Sequence, residues 1–438
     1  MQSTPTLRRS LAALAAILAG VLTLAACGTA DNSGGDSKLS DGEVTLRVTW
    51  WGADNRHKRT ADAIKTFEKK HPNIHVQAEF VDWSGYWDKL ATSTAGGNAP
   101  DVMQLDQIYL ASYADRGVLA DLERLSQLRT SDLGSALDMG RSNGTLHGMP
   151  ISTTPTAVLV NQDKLDELGL KLPDTNTWTW QQFNEFARSV TMASGGKVVG
   201  IGPWSYEFSL QLYARQRGES LFTDGQVSIS SDTLAGFYQQ ALDWTTSGAA
   251  RSASQIAEQT GVPLDQTDMA TGKSAMAFVP ATTISAYSAA SGGANLQLVK
   301  LPTDDANARP YMYLKPGMYW AVSSRSKHPA EAALLVDFLV NNPEAATILG
   351  MERGIPANPK IRDSLAQSLS PNEQKAVAYV RSLEKNLGKP PEIVPNGASD
   401  IDPLIQRYLM EVLFKRQTPK AAAEGLIKDL RSSIDAAK

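Results

Sequence analysis

VTLRVTWWGADNRHKRTADAIKTFEKKHPNIHVQAEF, residues 44–80, decides the fold class. Val44, Leu46, Val48 and Trp50 alternate with polar residues, the period of a strand with one buried face. Trp51-Gly52-Ala53-Asp54-Asn55 reads as a loop. Ala61, Ile64 and Phe67 then recur at helical spacing, and that helix must stop before Pro72. Ile74, Val76, Ala78 and Phe80 alternate again. A short helix carries Trp87 and Leu90, and Asn98-Ala99-Pro100 leads into a third strand, Asp101-Val102-Met103-Gln104-Leu105. Strand, helix, strand, helix, strand predicts an α/β domain built on a largely parallel sheet.

The same rhythm returns further along. Residues 157–160, AVLV, read as a strand, and Thr179 with Gln182 three positions on marks a capped helix starting at Trp180. Phe183, Phe186 and Val190 face its core. Val198 to Ile201 forms a short buried strand ending at Gly202-Pro203-Trp204, and helices follow over 208–218 and 233–246. Met276, Phe278 and Val279 mark another strand, 317–322 a further one, and 329–340 a helix. From about 360 the pattern is helical, with stripes at Leu404, Tyr408, Leu409, Val412 and Leu413 and at Leu426, Leu430 and Ile434. Two α/β units suit a chain of 438 residues, too long for one ordinary core.

The N-terminal stretch carries a different message. Arg8-Arg9 precede the uncharged run LAALAAILAGVLTLAA, residues 11–26, which ends at Cys27, the one cysteine of the chain. Basic start, apolar run and small residues before a lone thiol resemble a bacterial lipoprotein signal, with cleavage before Cys27 and acylation of its sulfur. A plain signal peptide or a single membrane helix is the alternative. The run is shorter than the ~20 residues a span requires. A twin-arginine route fits the residues around Arg8-Arg9 poorly. Residues 1–26 are thus expected to be a signal peptide. Residues 27–43, rich in Gly, Ser and Asp, are expected to be an acylated, flexible tether. The expected location is outside the cytoplasm, lipid-anchored to the cell membrane, with or without an outer membrane beyond. The formal charge of −4 offers no basic field for nucleic acid, and five scattered histidines suggest no metal cluster. One cysteine excludes an internal disulfide. No cofactor is implied.

Four strings carry a family resemblance. They are Pro100-Asp101-Val102 with Asp106, Gly117, Leu119 and Leu122; Gly148-Met149-Pro150 through Thr154-Pro155, Leu159 and Asn161 to Gly169-Leu170; Thr177-Trp178-Thr179-Trp180 with Phe183; and Gly272-Lys273-Ser274-Ala275-Met276. Gly317-Met318 to Phe338 and Gly354-Ile355-Pro356-Ala357 extend them. In this order they resemble the extracellular solute-binding proteins of carbohydrate ABC importers, the group that includes maltose-binding protein. The resemblance implies a type II periplasmic-binding-protein fold, with two α/β lobes, a hinge and a cleft between them. It implies chain crossings near 152–156, 277–281 and 317–322. Lobe one is then 44–152 with 280–318, and lobe two 156–276 with 322–438. It further implies a monomer that takes up a carbohydrate and docks on the membrane subunits of an ABC permease.

A sugar presents hydroxyls at its edges and apolar C–H faces, so its site needs carboxylates, amides and flat rings. Ligands of α/β sheets sit beyond the C-terminal strand ends. Those ends supply Trp51, Asp54 and Asn55 after the first strand, Asp82 and Trp83 after the second, and Gln104 and Asp106 after the third. Asp106 matches the family position that commonly binds a hydroxyl. Helix capping is the rival role for Asp54, Asn55, Asp82 and Asp106. In the second unit Trp204, Tyr206 and Glu207 follow a strand end, where the family places an aromatic and polar platform. Tyr319 is a candidate contact beside a core Trp320, because strand neighbours point opposite ways. Arg353 offers a forked donor, or an ion pair with Glu352 or Asp337. Many relatives carry a Gly-Pro-Trp type segment after the Gly272 string. Here the chain reads Val279-Pro280-Ala281-Thr282-Thr283-Ile284, so Thr282 or Thr283 stands where a stacking ring is expected.

Other functions compete. Glycerol phosphate or another polar solute is an alternative ligand, though a phosphate calls for more convergent basic residues. A surface adhesion or sensing lipoprotein would keep the fold and change the partner. A glycoside-cleaving enzyme would need two carboxyls roughly 5–10 Å apart with one raised pKa. No serine elbow, zinc helix or phosphate loop appears in a supporting context. The favoured reading is binding without chemistry.

Overall fold

The computed structural model describes residues 38–437 except Ala53, Pro203, 305–310 and 384–386. Cys27 and the expected signal and most of the tether lie outside these residues.

The opening stretch folds as its periodicity predicts. The first strand, β1 (Val44–Trp51), leads to α1 (Asp54–Lys70), β2 (Ile74–Val81), α2 (Trp83–Ala95), β3 (Val102–Leu105) and α3 (Gln107–Asp115). Ala63, Ile64 and Phe67 bury the inner face of α1, and Lys69 and Lys70 close it at the end where positive charge is favoured. Each fully buried large apolar side chain of this kind contributes roughly 1.5–3 kcal/mol.

Strands β2, β1 and β3 lie side by side and parallel. Tyr319–Val322 then adds antiparallel to β3, and Met149–Pro150 adds antiparallel to Tyr319–Val322. The first sheet is therefore mixed rather than largely parallel, with two strands supplied from distant segments. A second sheet of four strands has the order Leu296–Val299, Thr156–Asn161, Ser274–Pro280, Val199–Ile201. Thr156–Asn161 is antiparallel to both its neighbours, and Val199–Ile201 is parallel to Ser274–Pro280. Gly200 sits where a Cβ would come within 2.0 Å of the Ala187 carbonyl oxygen, so its strand packs directly on the helix Trp180–Ala193. That helix has the predicted capping box, Thr179 with Gln182.

The apolar core falls into separate clusters around the two sheets. The first sheet is covered by α1 and by Pro329–Asn341, with Ala332, Ala333, Leu335 and Val336 fully buried. The second sheet is covered by Trp180–Ala193, Ser231–Ser247, Ile401–Leu413 and Pro419–Ala436. Leu159, Val279 and Leu296 pack with Ile361, Val377 and Val380 in a third cluster.

Two of the expected segment assignments change. Residues 280–318 were expected to accompany the first sheet, yet Leu296–Val299 pairs with Asn161–Val158 in the second. The alternation Leu296-Gln297-Leu298-Val299 is the signal of that edge strand. Residues 322–438 were expected to accompany the second sheet, yet Pro329–Asn341 buries its apolar face on the first. Short pairings mark the passages between sheets. Ile355–Pro356 pairs with Ser152–Thr153, and Thr153 bridges to Pro316.

Among the described residues no single helix is long and apolar enough to cross a membrane. One bent pair, Pro329–Asn341 with Pro343–Leu349, passes by length and composition, and its first helix is a core helix of the first sheet.

Candidate functional site

Three helix starts converge between the two sheets, each bringing a carboxylate. Asp106 caps α3, its Oδ1 accepting from the Ile108 amide at 3.1 Å. Glu207 opens the helix Glu207–Gln216 after the strand Val199–Ile201. Asp402 lies in the first turn of Ile401–Leu413, and its Oδ1 accepts from the Glu207 amide at 2.5 Å. The Ser399 hydroxyl donates to the Ile108 carbonyl at 3.0 Å, which holds the first and third helix starts together. Acidic side chains suit helix N-termini, so each has a local reason to be there.

One cation sits among them. Lys315 Nζ lies 3.3 Å from Glu207 Oε2. Burial pushes the Glu207 carboxyl above the ordinary range; Lys315 pulls it back, and Asp402 and Asp106 push it further. Burial likewise raises Asp106, against Lys315 and its amide bond and with the help of Asp402. Burial raises Asp402, partly offset by the Glu207 amide and Lys315. Burial works against the Lys315 charge, but Glu207, Asp106 and Asp402 together outweigh it and hold the ammonium above its usual value.

Unpartnered polar groups accompany this cluster. Gln107, 1% exposed, has no hydrogen-bond partner at either amide atom. The Tyr313 hydroxyl, on a side chain 3% exposed, has none either. Burial and the nearby Glu207 carboxylate raise its pKa. Ser209 Oγ and Gln211 Nε2 on the Glu207 helix are in the same condition. Buried groups of this kind are normally satisfied, so these atoms are available to a polar ligand that reaches them.

Aromatic rings flank the cluster. Trp83 is 44% exposed and meets Trp51 and Trp87 edge-on, at 5.1 and 5.2 Å between ring centroids. Trp87 stacks on Tyr109 at 3.9 Å, and Asp106 raises the Tyr109 pKa after burial has done so. The aromatic patch is thus continuous with the acidic cluster. On the other side Tyr206, 39% exposed, stacks on Phe208 at 5.4 Å with ring planes 7° apart. Lys315 lies 5.8 Å from the Phe208 ring centre.

The structure sorts the predicted residues. Asp106, Glu207, Tyr206 and Trp83 fall together around the site. Asp82 caps α2, its Oδ1 accepting from the Gly85 amide at 2.9 Å, beside Trp83. Asp54 opens α1 and is exposed. Asn55 is exposed and donates to Glu352 Oε2 at 2.7 Å.

Seven candidates are held in packing or structural hydrogen bonds within the fold. Trp51 is 6% exposed beneath Trp83, so the exposed ring is its neighbour's. Trp204 is 1% exposed and packs against Phe278 at 3.8 Å and Trp180 at 5.4 Å; it is core. Tyr319 is fully buried, its hydroxyl donating to the Met139 carbonyl at 2.7 Å. Gln104 and Arg353 form a buried pair. Arg353 Nε donates to Gln104 Oε1 at 3.1 Å, its Nη2 to Thr60 Oγ1 at 2.8 Å, and its guanidinium lies 5.3 Å from the Trp320 ring centre. Burial and Arg56 push Arg353 down to about 9, against Glu352, and it remains a cation at neutral pH. The forked donor thus serves the wall of the first sheet. Thr282 hydrogen-bonds Thr154 at 2.9 Å, and the Thr283 hydroxyl donates to the Pro280 carbonyl at 2.7 Å, both within the passage between the sheets.

Lys315, Asp402, Gln107, Tyr313, Tyr109 and Phe208 were missed. Lys315 and Tyr313 lie in an irregular segment, and Asp402 lies on a helix whose apolar stripe drew attention to its other face.

The family model for bacterial extracellular solute-binding proteins matches residues 62–378. The chain belongs to this family. A lipoprotein of Streptomyces antibioticus is 31% identical over 160 residues, 35% of each chain. The diacetylchitobiose binding protein of Streptomyces coelicolor is 25% identical over 229 residues, 51% of this chain and 53% of that one. The match thus spans about half or less of the length of these curated relatives. Among solved structures, a family 1 extracellular solute-binding protein of Alicyclobacillus acidocaldarius superposes with a TM-score of 0.72 at 27% identity, covering 90% of this chain and 99% of that one. The fold is that of the periplasmic-binding-protein superfamily, mixed α/β sheets with helices packed around them.

Proposed function

We propose that this solute-binding protein takes up a sugar or oligosaccharide outside the cytoplasmic membrane and delivers it to an ABC permease. In this reading the protein is tethered through Cys27. The carrying observation is the convergence of Asp106, Glu207, Asp402 and Lys315 with exposed Trp83 and Tyr206, which combines polar edges and flat faces. Relatives whose names state a sugar ligand support it: the diacetylchitobiose binding protein and the lactose-binding protein of Rhizobium radiobacter.

The same reading divides the described chain into two lobes. One holds the first sheet, residues 44–151 with about 317–357. The other holds the second sheet, residues 156–302 with about 360–437. The hinge is made of the passages at 152–155, about 314–317 and about 357–360, and ligand closes the lobes over the cleft. Thr154 and Thr282 would move little on closure, since their hydroxyls meet beside the first passage. A phosphate ligand is disfavoured by charge, because three carboxylates surround the one lysine.

The test is small-angle scattering of the protein with and without a panel of mono- and oligosaccharides, alongside calorimetric titration. Saturable binding of a sugar with a reduced radius of gyration is expected. No binding across the panel overturns the sugar reading, and binding without compaction overturns the hinge.

A further inference from the structure

The charge balance of the site is lopsided. Glu207, Asp106 and Asp402 share one ammonium, Lys315, and Glu207 alone holds it at contact distance. Arg215, on the Glu207 helix, is committed elsewhere, donating to the carbonyls of Tyr311 and Lys389 at 2.7 Å each. Asp106 is held by the Ile108 and Gln107 amides and Asp402 by the Glu207 amide, and these bonds supply no full positive charge. Among the described residues, three carboxylates thus share a single ammonium, two of them without a contact ion pair. Leaving charge uncompensated away from water is costly, and the cost falls when an opposite charge arrives. A bound metal is a poor candidate for that charge: among the described residues no group of three or more Asp, Glu, His or Cys side chains has the geometry to hold one.

A second, independent observation points to a ligand. Tyr313, within electrostatic reach of Glu207, and Gln107, the residue after Asp106, are buried with their hydroxyl and amide unpartnered. A hydroxylated ligand supplies both donors and acceptors to them. A simple cation supplies none. The occupant therefore needs a positive charge and several hydroxyls at once, with an apolar face for Tyr206 or Trp83.

We propose that the ligand class is an amino sugar, or an oligosaccharide containing one, bound with its ammonium between Asp106, Asp402 and Glu207. This rests on the sugar-receptor reading and narrows it. Neutral sugars leave the carboxylates in conflict, and uronic or phosphorylated sugars add a like charge. The ammonium of a protonated amino sugar satisfies the two unpaired carboxylates, while its ring hydroxyls meet Gln107 and Tyr313.

Calorimetric titration at pH 6, where a sugar amine carries its proton, tests this. The probes are glucosamine and its β-1,4 oligomers, each against the N-acetylated and the hydroxyl counterpart of the same length. The amino form is expected to bind at least about tenfold tighter, with a preference that shrinks as salt rises, as charge pairing requires. Asp402→Asn and Asp106→Asn are each expected to reduce that preference severalfold. Equal or tighter binding of the neutral or acetylated sugars overturns the amino-sugar assignment and leaves the sugar receptor standing. Silence across the whole panel overturns both. A preference that survives in both variants also overturns the assignment, since the charge would then be read elsewhere.

Discussion

Lys315 Nζ and Glu207 Oε2 lie 3.3 Å apart, joining an irregular segment to the first turn of a helix more than a hundred residues earlier. Glu207 is buried, so removing one partner of the pair costs more than breaking a surface ion pair, but its members are not equally replaceable. Removing the lysine leaves three carboxylates facing one another. Lys315→Met is therefore expected to destabilise the protein by about 3 kcal/mol, within the range for a broken buried pair. Glu207→Gln should cost less, because it also removes repulsion with Asp106 and Asp402. Urea unfolding of both variants checks this, and a larger loss in Glu207→Gln would show that the lysine is not the limiting charge.

The same cluster predicts how stability responds to pH. Glu207, Asp106 and Asp402 have folded-state pKa values raised above the ordinary carboxylate range, mainly by burial. The folded state then binds protons more readily than the unfolded chain above that range. By linkage, its stability rises as pH falls from neutrality toward the unfolded-state carboxylate values near 4. Below those values the gain is complete, and carboxylates lowered in the folded state, such as Glu79 beside Lys89 and Arg47, begin to lose their contribution. A melting temperature that climbs as pH is lowered toward about 4 is expected, with the climb reduced in Asp402→Asn. An identical profile in that variant would mean Asp402 does not titrate with the cluster.

Trp83 and Trp204 separate binding from stability. Trp83 is 44% exposed, whereas Trp204 is 1% exposed among Trp180, Phe278 and Phe237. Trp83→Ala should weaken sugar binding at least severalfold and change stability by less than about 1 kcal/mol, as exposed substitutions usually do. Trp204→Ala should cost about 3–5 kcal/mol through the cavity it leaves. Chemical denaturation and titration of both variants, read together, distinguish the two roles. Reversal of the pattern would move the aromatic platform to the second sheet.

Why these roles were hard to read follows from the physics of each position. The strands and helices of residues 44–115 obey periods of 2 and 3.6, so their pattern is local and visible. The capping box of Thr179 and Gln182 is local too. The partner of Glu207 is not. Nothing in the irregular stretch Tyr311-Met312-Tyr313-Leu314-Lys315 announces which of 46 acidic residues the lysine meets. Asp402 reaches the site only because its helix packs on the second sheet. Trp204 follows a strand end, a position that reads as exposed. The helix from Ser231 to Ser247 covers it with Phe237 and Trp244, a tertiary fact that spacing does not carry. Strand Leu296–Val299 was misassigned because four alternating residues are too few to reveal which sheet they join.

Gly148 and Tyr319 make the strictest packing prediction. A Cβ at Gly148 would stand 2.8 Å from Cδ1 of Tyr319 and 2.9 Å from its Cγ. The ring cannot swing aside, because it is fully buried and its hydroxyl is held by the Met139 carbonyl at 2.7 Å. Gly148→Ala therefore forces either the backbone between Leu146 and Met149 or the strand Tyr319–Val322 to shift. A cost of about 1–3 kcal/mol is expected for such overpacking, more than the gain from reduced freedom of the unfolded chain. Tyr319→Phe should cost about 1 kcal/mol, the net worth of one hydrogen bond, while leaving the Met139 carbonyl without that donor. In the double variant the ring is free to move, so the combined loss should be smaller than the sum. Denaturant unfolding of the two single variants and the double variant measures this coupling, and strict additivity would place the strain of Gly148→Ala elsewhere.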